Sequence, residues 1–252
     1  LAGTRCKVPV VIHESDMTPG LANKIAIPSA TKVCCNFPET LGSLPEGKAV
    51  LTGSPIRQEL LSGNKIAALD MCGFSADKPV ILVIGGSLGS VVVNNAVRQS
   101  LPELLKNFQI IHLCGKGKTD DSLKDTKGYC QFEYIKSELR DIFALADIVI
   151  SRAGANAICE LLALRKPNLL IPLSAKASRG DQILNARSFE RQGFSMVLEE
   201  DDLSEKTLVP AVHSLYEGRG AFIDAMRDSG QQDSIDTIIA LIEEAASEAS
   251  AQ

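Results

Sequence analysis

One stretch of this chain constrains the fold more than any other: five aliphatic residues, 80–84, followed at once by Gly85 and Gly86. An aliphatic run of this length is typical of a strand that is buried on both faces of a parallel sheet. The glycines predict a tight turn, and Ser87 is predicted to cap a helix over residues 91–105. The N–H groups of such a turn and helix start can bind phosphate, although a glycine turn without a ligand is an equal alternative.

The composition is that of an ordinary globular protein and narrows the classes of partner. Of the 252 residues, 45% are hydrophobic, and the net charge of −5 argues against nucleic acid as a partner. No apolar run approaches the roughly 18 residues of a membrane-spanning helix. Seven cysteines without a C-x-x-C pair favour free thiols over disulfides or zinc. Because the chain starts without methionine, we expect it to be part of a longer protein.

Strands alternate with helices along the chain, and this pattern predicts an α/β fold with a parallel sheet flanked by helices. Among these elements, strands are expected at residues 8–12 and 132–135, and helices at residues 56–69 and 204–216. Gly-Ser-Pro at residues 53–55 is predicted to link two lobes.

A second turn of small residues follows the predicted strand that ends at Ser151. Gly154 permits close approach of the backbone, and both turns are expected to open side by side at one edge of the sheet. Glu160 lies further along the helix that follows. A carboxylate there can accept two hydrogen bonds from a ribose, with a solvent-exposed helix carboxylate as the alternative.

Polar residues at two other places could contact sugar hydroxyls or phosphate. Asp181, Gln182 and Asn185 lie where another helix begins and could bind sugar hydroxyls, with N-capping by Asp181 as the alternative. Arg57 follows the linker, and its planar guanidinium could clamp a diphosphate; a surface ion pair is the alternative.

His13 and Glu14 follow the first strand and could act as acid and base, although a histidine there is more often simply hydrogen-bonded. The acidic pairs at residues 120–121 and 201–202 lie in polar loops. Since neither pair has the spacing of a metal site, we expect no metal and no cofactor.

Six motifs occur in an order that is specific only when they are taken together. They are Val-Ile-His-Glu at 11–14, Gly-Leu-Ala-Asn-Lys at 20–24, Gly-Ser-Pro-Ile-Arg at 53–57, Gly-Gly-Ser-Leu-Gly at 85–89, Arg-Ala-Gly-Ala at 152–155 through Glu160, and Asp-Gln with Asn-Ala within 181–186. This set, which extends over nearly all of the chain, resembles the MurG family of bacterial UDP-N-acetylglucosamine transferases of peptidoglycan synthesis.

The resemblance implies a GT-B fold, in which two Rossmann-like lobes hold the donor in a cleft. Residues 1–54 would be the C-terminal remnant of the N-terminal, acceptor and membrane lobe. Residues 55–230 would be the lobe that binds the UDP-sugar, and residues 231–252 a helix that returns to the N-terminal lobe. The segment that carries the family's proposed base would lie outside this chain, so no catalytic residue is assigned.

Individual residues match the family's substrate-binding positions. Ser87 and Leu88 match the diphosphate turn, and Arg57 matches the arginine near the phosphates. Ile135 matches the residue whose backbone contacts uracil, and Glu160 matches the carboxylate that holds the ribose.

The resemblance also implies the sugar contacts and the reaction. Asp181 and Gln182 stand where glutamines read the N-acetylglucosamine hydroxyls, with Asp181 departing from glutamine. The implied activity is metal-independent, inverting transfer of N-acetylglucosamine from UDP-N-acetylglucosamine to the lipid I acceptor, giving lipid II. The enzyme would work in the cytoplasm as a peripheral protein on the inner face of the cell membrane. Another GT-B UDP-sugar transferase, a related epimerase or an inactive UDP-sugar-binding fragment are the alternatives, and a dinucleotide oxidoreductase is the weakest.

Overall fold

A computed structural model describes residues 2–86, 88–176, 180–230 and 234–250. The chain divides into two compact units, one made of Leu1–Ile56 with Ser229–Gln252 and the other of Arg57–Asp228. In chain order the helices and strands are α1 (Ala2–Arg5), β1 (Val11–Glu14), α2 (Leu21–Ala26), β2 (Lys32–Cys35), α3 (Pro38–Leu41), β3 (Ala49–Leu51), α4 (Lys65–Cys72), β4 (Val80–Ile84), α5 (Val91–Leu104), β5 (Gln109–Leu113), β6 (Tyr129–Phe132), α6 (Leu139–Leu145), β7 (Ile148–Ser151), α7 (Ala155–Ala163), β8 (Asn168–Leu170), α8 (Asp181–Arg191), β9 (Ser195–Val197), α9 (Glu205–Asp228) and α10 (Ser234–Ser250).

The first unit holds a parallel sheet with the strand order β1-β2-β3. Helix α10 packs on β1 and β2 of this unit. The first strand starts three residues later than the predicted range 8–12 and includes His13 and Glu14. The reason is local, because the N–H of Val8 donates to the carbonyl of Gly3 at 2.8 Å and so is not available to a sheet.

The second unit holds a parallel sheet of six strands in the order β6-β5-β4-β7-β8-β9. The aliphatic run forms β4 near its centre, where Ile81, Leu82 and Val83 are fully buried, as predicted. The long helix α9 covers one face through Leu208 and Val212. The α/β fold predicted from the alternation of elements is therefore confirmed.

Three further predicted elements differ from those in the structure. The helix expected over residues 56–69 is broken, because Gly63 lies against the carbonyl of Arg140 and Asn64 caps a new helix, α4. A Cβ on Gly63 would lie 2.0 Å from that carbonyl oxygen. The strand expected at 132–135 is instead β6, which ends at Phe132, and the helix expected to end at residue 216 continues in α9 through Asp228.

The strand order reverses between β4 and β7, and this reversal positions the site. From β4 the chain proceeds outward to β5 and β6, then returns to add β7 on the other side of β4. The register pairs Ile84 with Ser151, so both strands end at the same level. The Asp147 carboxylate fixes this register by accepting the N–H of Val80 at 2.7 Å. Ligands of open α/β sheets bind at such a reversal, outside the carboxyl ends of the strands.

Candidate functional site

Two turns open side by side at this reversal, as predicted. The first, the glycine turn (residues 85–90), follows β4, and the second, the arginine turn (residues 152–154), follows β7. A cavity of about 410 Å³ lies between them, and Leu173 and Gln182 complete its wall. We call it the turn cavity.

The glycine turn is shaped by close backbone contacts. A Cβ on Gly85 would lie 2.6 Å from the nitrogen of Ser90, and one on Gly89 would lie 1.9 Å from the carbonyl oxygen of Cys114. The N–H of Gly89 donates to the carbonyl of Gly86, so the chain completes a turn before the helix starts.

That turn moves the helix cap three residues along the chain. The Oγ of Ser90, rather than that of Ser87, caps α5 by accepting the N–H of Val93 at 3.3 Å. Ser87 itself lies outside the described residues. Leu88 is 82% exposed and lines the turn cavity. The N-terminus of α5 therefore opens on this cavity, in the arrangement that binds anions.

Arg152, for which the sequence predicted no role, connects the glycine turn to the rest of the site. Its buried guanidinium donates to the Oγ of Ser90 at 2.6 Å and to the carbonyls of Ile171 and Pro172. It also forms an ion pair with Glu200. Since these acceptors surround the guanidinium, Arg152 holds the turns in place. The sequence feature that could have indicated this role is an arginine directly after a buried strand, within a turn of small residues.

The start of α8 contributes one of its three predicted residues to the turn cavity. The Oε1 of Gln182 accepts the N–H of Leu173 at 3.0 Å, which fixes the side chain at the cavity wall. Asp181 is the first residue of α8 and does not line this cavity. Asn185 is fully buried and donates to the carbonyl of Ala153, so it supports the arginine turn and is not available to bind a sugar.

A second cavity, of about 360 Å³, adjoins the first and shares Gly86, Ser151 and Ala157 with it. We call it the second cavity. Its lining is apolar in part, with Leu113, Phe143 and Ile135. The polar groups in its lining are those of Glu133, Tyr134, Asn156, Ser151, Arg57 and Glu160. The second cavity offers an apolar slot and the carboxylate of Glu160, and the adjoining turn cavity offers a helix N-terminus.

Arg57 and Glu160 meet in the second cavity as a forked ion pair. The Nε of Arg57 donates to Oε1 of Glu160 at 3.1 Å, and its Nη2 donates to Oε2 at 3.4 Å. The hydrogen bond to Glu160 raises the pKa of the Arg57 guanidinium. The Arg57 side chain remains 48% exposed and that of Glu160 is 20% exposed, so a ligand can reach both.

Known proteins match most of this chain. The family described as Glycosyltransferase family 28 C-terminal domain matches residues 80–239. A protein of Lachnospira eligens named UDP-N-acetylglucosamine--N-acetylmuramyl-(pentapeptide) pyrophosphoryl-undecaprenol N-acetylglucosamine transferase is 70% identical over 243 residues, 96% of this chain and 68% of that protein. The chain belongs to the MurG family. A relative with the same name from Lachnoclostridium phytofermentans is 65% identical and covers 97% of this MurG-family chain and 69% of its own length.

Solved structures support the fold of this MurG-family chain. The crystal structure of Acinetobacter baumannii MurG has a TM-score of 0.72 at 21% identity, covering 96% of this chain and 69% of that one. The calicheamicin glycosyltransferase CalG4 has a TM-score of 0.63 at 14% identity, covering 99% of this chain and 68% of that one. The predicted GT-B type of α/β fold is therefore confirmed.

In the first unit of this MurG-family chain, the polar residues at the end of β1 form structural hydrogen bonds. Glu14 is buried and accepts hydrogen bonds from the N–H groups of Asp16 and Gly20 and from Nδ2 of Asn23. The Nε2 of His13 lies 3.0 Å from the carbonyl oxygen of Gly53. His13 is therefore a hydrogen-bonded residue, which is the simpler of its two interpretations. Glu14 orders the loop after β1.

Neither a metal-binding cluster nor a membrane-spanning helix occurs among the described residues. Within them, no group of three or more His, Cys, Asp or Glu side chains is arranged to hold a metal ion. No helix in the same part of the chain combines the length and hydropathy needed to cross a bilayer.

Proposed function

We propose that this chain binds UDP-N-acetylglucosamine as part of an enzyme that transfers N-acetylglucosamine to undecaprenyl-pyrophosphoryl-N-acetylmuramyl-pentapeptide. The observation that carries the proposal is the 70% identity to the L. eligens transferase over 96% of this chain. The paired cavities support it, because a uridine diphosphate sugar needs an apolar slot, a diol acceptor and an anion site in line.

Each part of the donor has a matching part of the site. The second cavity, with Ile135 in its lining, would hold uracil and ribose. The glycine turn, including Ser87 and Leu88, would face the diphosphate at the N-terminus of α5. Gln182 would form hydrogen bonds with the sugar hydroxyls, with Asp181 beside it. Residues 55–230 would thus form the donor lobe, with residues 1–54 and 231–252 belonging to the acceptor lobe.

The forked ion pair suggests how one site serves both ribose and phosphate. A carboxylate has about four lone-pair directions, so Glu160 can accept hydrogen bonds from both hydroxyls of a ribose once Arg57 leaves it. Arg57 can instead turn its guanidinium to the diphosphate, where a planar fork binds two oxygens. We propose that donor binding exchanges the pair for these two contacts.

The chemistry would be inverting displacement. A hydroxyl of the acceptor attacks the anomeric carbon of the donor, the bond to the diphosphate oxygen breaks, and UDP leaves with the electron pair. The α5 N-terminus and Arg57 would stabilise the charge that grows on the leaving oxygen. A base takes the proton of the hydroxyl, and we assign that base to no described residue.

The acceptor's polyprenyl chain would place the enzyme at a lipid surface. We propose that it works on the cytoplasmic face of the cell membrane as a peripheral protein, since the nucleotide donor and the lipid acceptor must meet there. Co-sedimentation with vesicles that contain the acceptor, compared with vesicles that lack it, tests this location.

The function is tested by calorimetry with UDP-N-acetylglucosamine, UDP and ADP. We expect the two uridine nucleotides to bind and ADP to bind far more weakly, because the second cavity would select the pyrimidine. A turnover assay with a lipid I analogue then separates a transferase from a binding fragment. Equal affinity for ADP and UDP, or no binding of either, contradicts the proposed function.

Replacing Glu160 with glutamine is expected to weaken the binding of both UDP and uridine by about 1–3 kcal/mol, because the ribose loses a charged acceptor. Calorimetry with each ligand measures the change. The matched control is Glu190→Gln, since Glu190 also forms a helix-surface pair with an arginine, at 2.6 Å, but lies outside both cavities. Equal affinities for E160Q and E190Q would remove Glu160 from the site.

Replacing Arg57 with methionine is expected to change the affinity for UDP and the affinity for uridine by different amounts. UDP should bind about 1.5–3 kcal/mol more weakly, since charge-assisted hydrogen bonds to the diphosphate are lost, while uridine changes little. Arg227→Met is the control, because Arg227 is similarly exposed and pairs with Asp224 at 2.8 Å on α9. A loss of the same size for uridine and UDP would show that Arg57 does not contact phosphate.

A further inference from the structure

Lys118 reaches the glycine turn from the neighbouring strand end. It closes a tight turn after β5, where its N–H donates to the carbonyl of Gly115 at 3.1 Å. Its Nζ donates to the carbonyl oxygens of Leu88 at 2.6 Å and Gly89 at 3.1 Å. The half-buried ammonium thus lies on the carbonyl side of two peptides of the glycine turn.

This contact fixes which way the next N–H group points. In a trans peptide the C=O and N–H bonds are opposed, so a Gly89 carbonyl held by Lys118 directs the N–H of Ser90 away from it. Ser90 lines the turn cavity together with Gly85, which lies close against its nitrogen. Among the described residues, no acceptor takes the Ser90 N–H.

The turn that carries Lys118 is itself held by a buried polar network. Arg98 donates to the carbonyl of Lys118, and Nδ2 of Asn94 donates to the carbonyl of Cys114 at 2.9 Å. The Oδ1 of Asn94 lies 3.0 Å from Nε2 of His112. Burial lowers the pKa of His112 to about 3, so the imidazole stays neutral and the network keeps its hydrogen bonds at physiological pH.

We propose that Lys118 is a positioning residue for the donor diphosphate, an inference that rests on the proposed function. It turns two carbonyl oxygens away from the turn cavity, where they would repel an anion. It also polarises the Gly89–Ser90 peptide and places a positive charge behind it, so that the Ser90 N–H becomes a stronger donor. Lys118 does so through the backbone, without itself facing the turn cavity.

The test compares Lys118→Met with Lys116→Met in the complete 252-residue chain. Lys116 is exposed in the same loop, so both variants remove one positive charge from almost the same place. We expect K118M to weaken UDP about ten-fold, which corresponds to about 1.4 kcal/mol, with uridine unchanged and K116M close to the unsubstituted chain for both ligands. Calorimetry of each protein with UDP and uridine gives these ratios.

Each outcome decides between the alternatives. If the unsubstituted chain binds no UDP, the proposed function fails first. If it binds UDP and K118M binds UDP equally well, or loses uridine to the same extent, the positioning role is wrong. Amide NMR spectra of the ligand-free proteins add an independent readout. The Gly89 and Ser90 resonances should shift in K118M and not in K116M, and unshifted resonances in K118M would overturn the proposal.

Discussion

Replacing Arg152 with methionine is expected to lower the free energy of unfolding by about 3–5 kcal/mol, which is the usual effect of breaking a buried ion pair by removing one partner. The side chains of Arg152 and Glu200 are only 9% and 10% exposed. Without Arg152, the Glu200 carboxylate keeps the N–H of Ser174 at 3.0 Å but loses its counter-charge. The Oγ of Ser90 and two strand-end carbonyls lose a donor as well. Urea unfolding, followed by circular dichroism, measures the change.

The matched control for this variant is Arg187→Met. Arg187 pairs with Glu190 at 2.6 Å and Glu199 at 2.5 Å, so it also has two partners, but it is 41% exposed. Exposed pairs contribute about 0–1 kcal/mol, so R187M should unfold nearly as the unsubstituted chain does. A second variant, R152M with Glu200→Gln, should recover part of the loss because no charge is left buried alone. Equal losses for R152M and R187M would show that the buried pair does not stabilise the turns.

Replacing Gly89 with alanine should have the second largest effect, with about 3 kcal/mol lost from the free energy of unfolding, because strain and overpacking act together. Gly89 has a φ of +67°, where a residue with a Cβ is strained, and the added Cβ would lie 1.9 Å from the carbonyl oxygen of Cys114. Backbone atoms form this contact, so the glycine turn must move away from the turn after β5. We expect UDP binding to be lost along with stability, and thermal unfolding with and without UDP measures both.

Gly117→Ala separates the two causes. Gly117 has nearly the same φ, +69°, and lies in the adjoining turn, but nothing is within 4 Å of its added Cβ. Its variant should therefore show the backbone strain alone, about 1–2 kcal/mol, and retain UDP binding. If G89A and G117A unfold at the same temperature, the close approach of the two turns is not what requires glycine at position 89.

The sequence was sufficient to predict the features that depend on local pattern. The buried strand β4, the turn of small residues after β7 and the alternation of elements follow from periodicity, and periodicity also places both turns at one sheet edge. Local pattern was less reliable for boundaries. Ser87 and Ser90 are both plausible caps in the sequence. Only the positive φ of Gly86 and Gly89 shows why the helix is capped by Ser90 and not earlier.

Contacts between residues far apart in the chain were not predictable in the same way. Arg57 and Glu160 were assigned to different parts of a ligand, yet they pair across 103 positions. The role of Arg152 depends on Glu200, and that of Lys118 on the carbonyls of another turn. Side chains of this kind bind groups whose positions are set by the tertiary structure, and a sequence pattern does not contain those positions.

The position of β4 and β7 has a consequence for how the site would be lost. These strands lie in the middle of the six-stranded sheet, with two more strands beyond each of them. Edge strands open more readily than central ones in native proteins. The amides beneath both turns should therefore exchange with deuterium only when the whole unit opens. Substitutions there would impair ligand recognition and protein lifetime together, so a genetic screen for inactive alleles would return folding mutants at these positions.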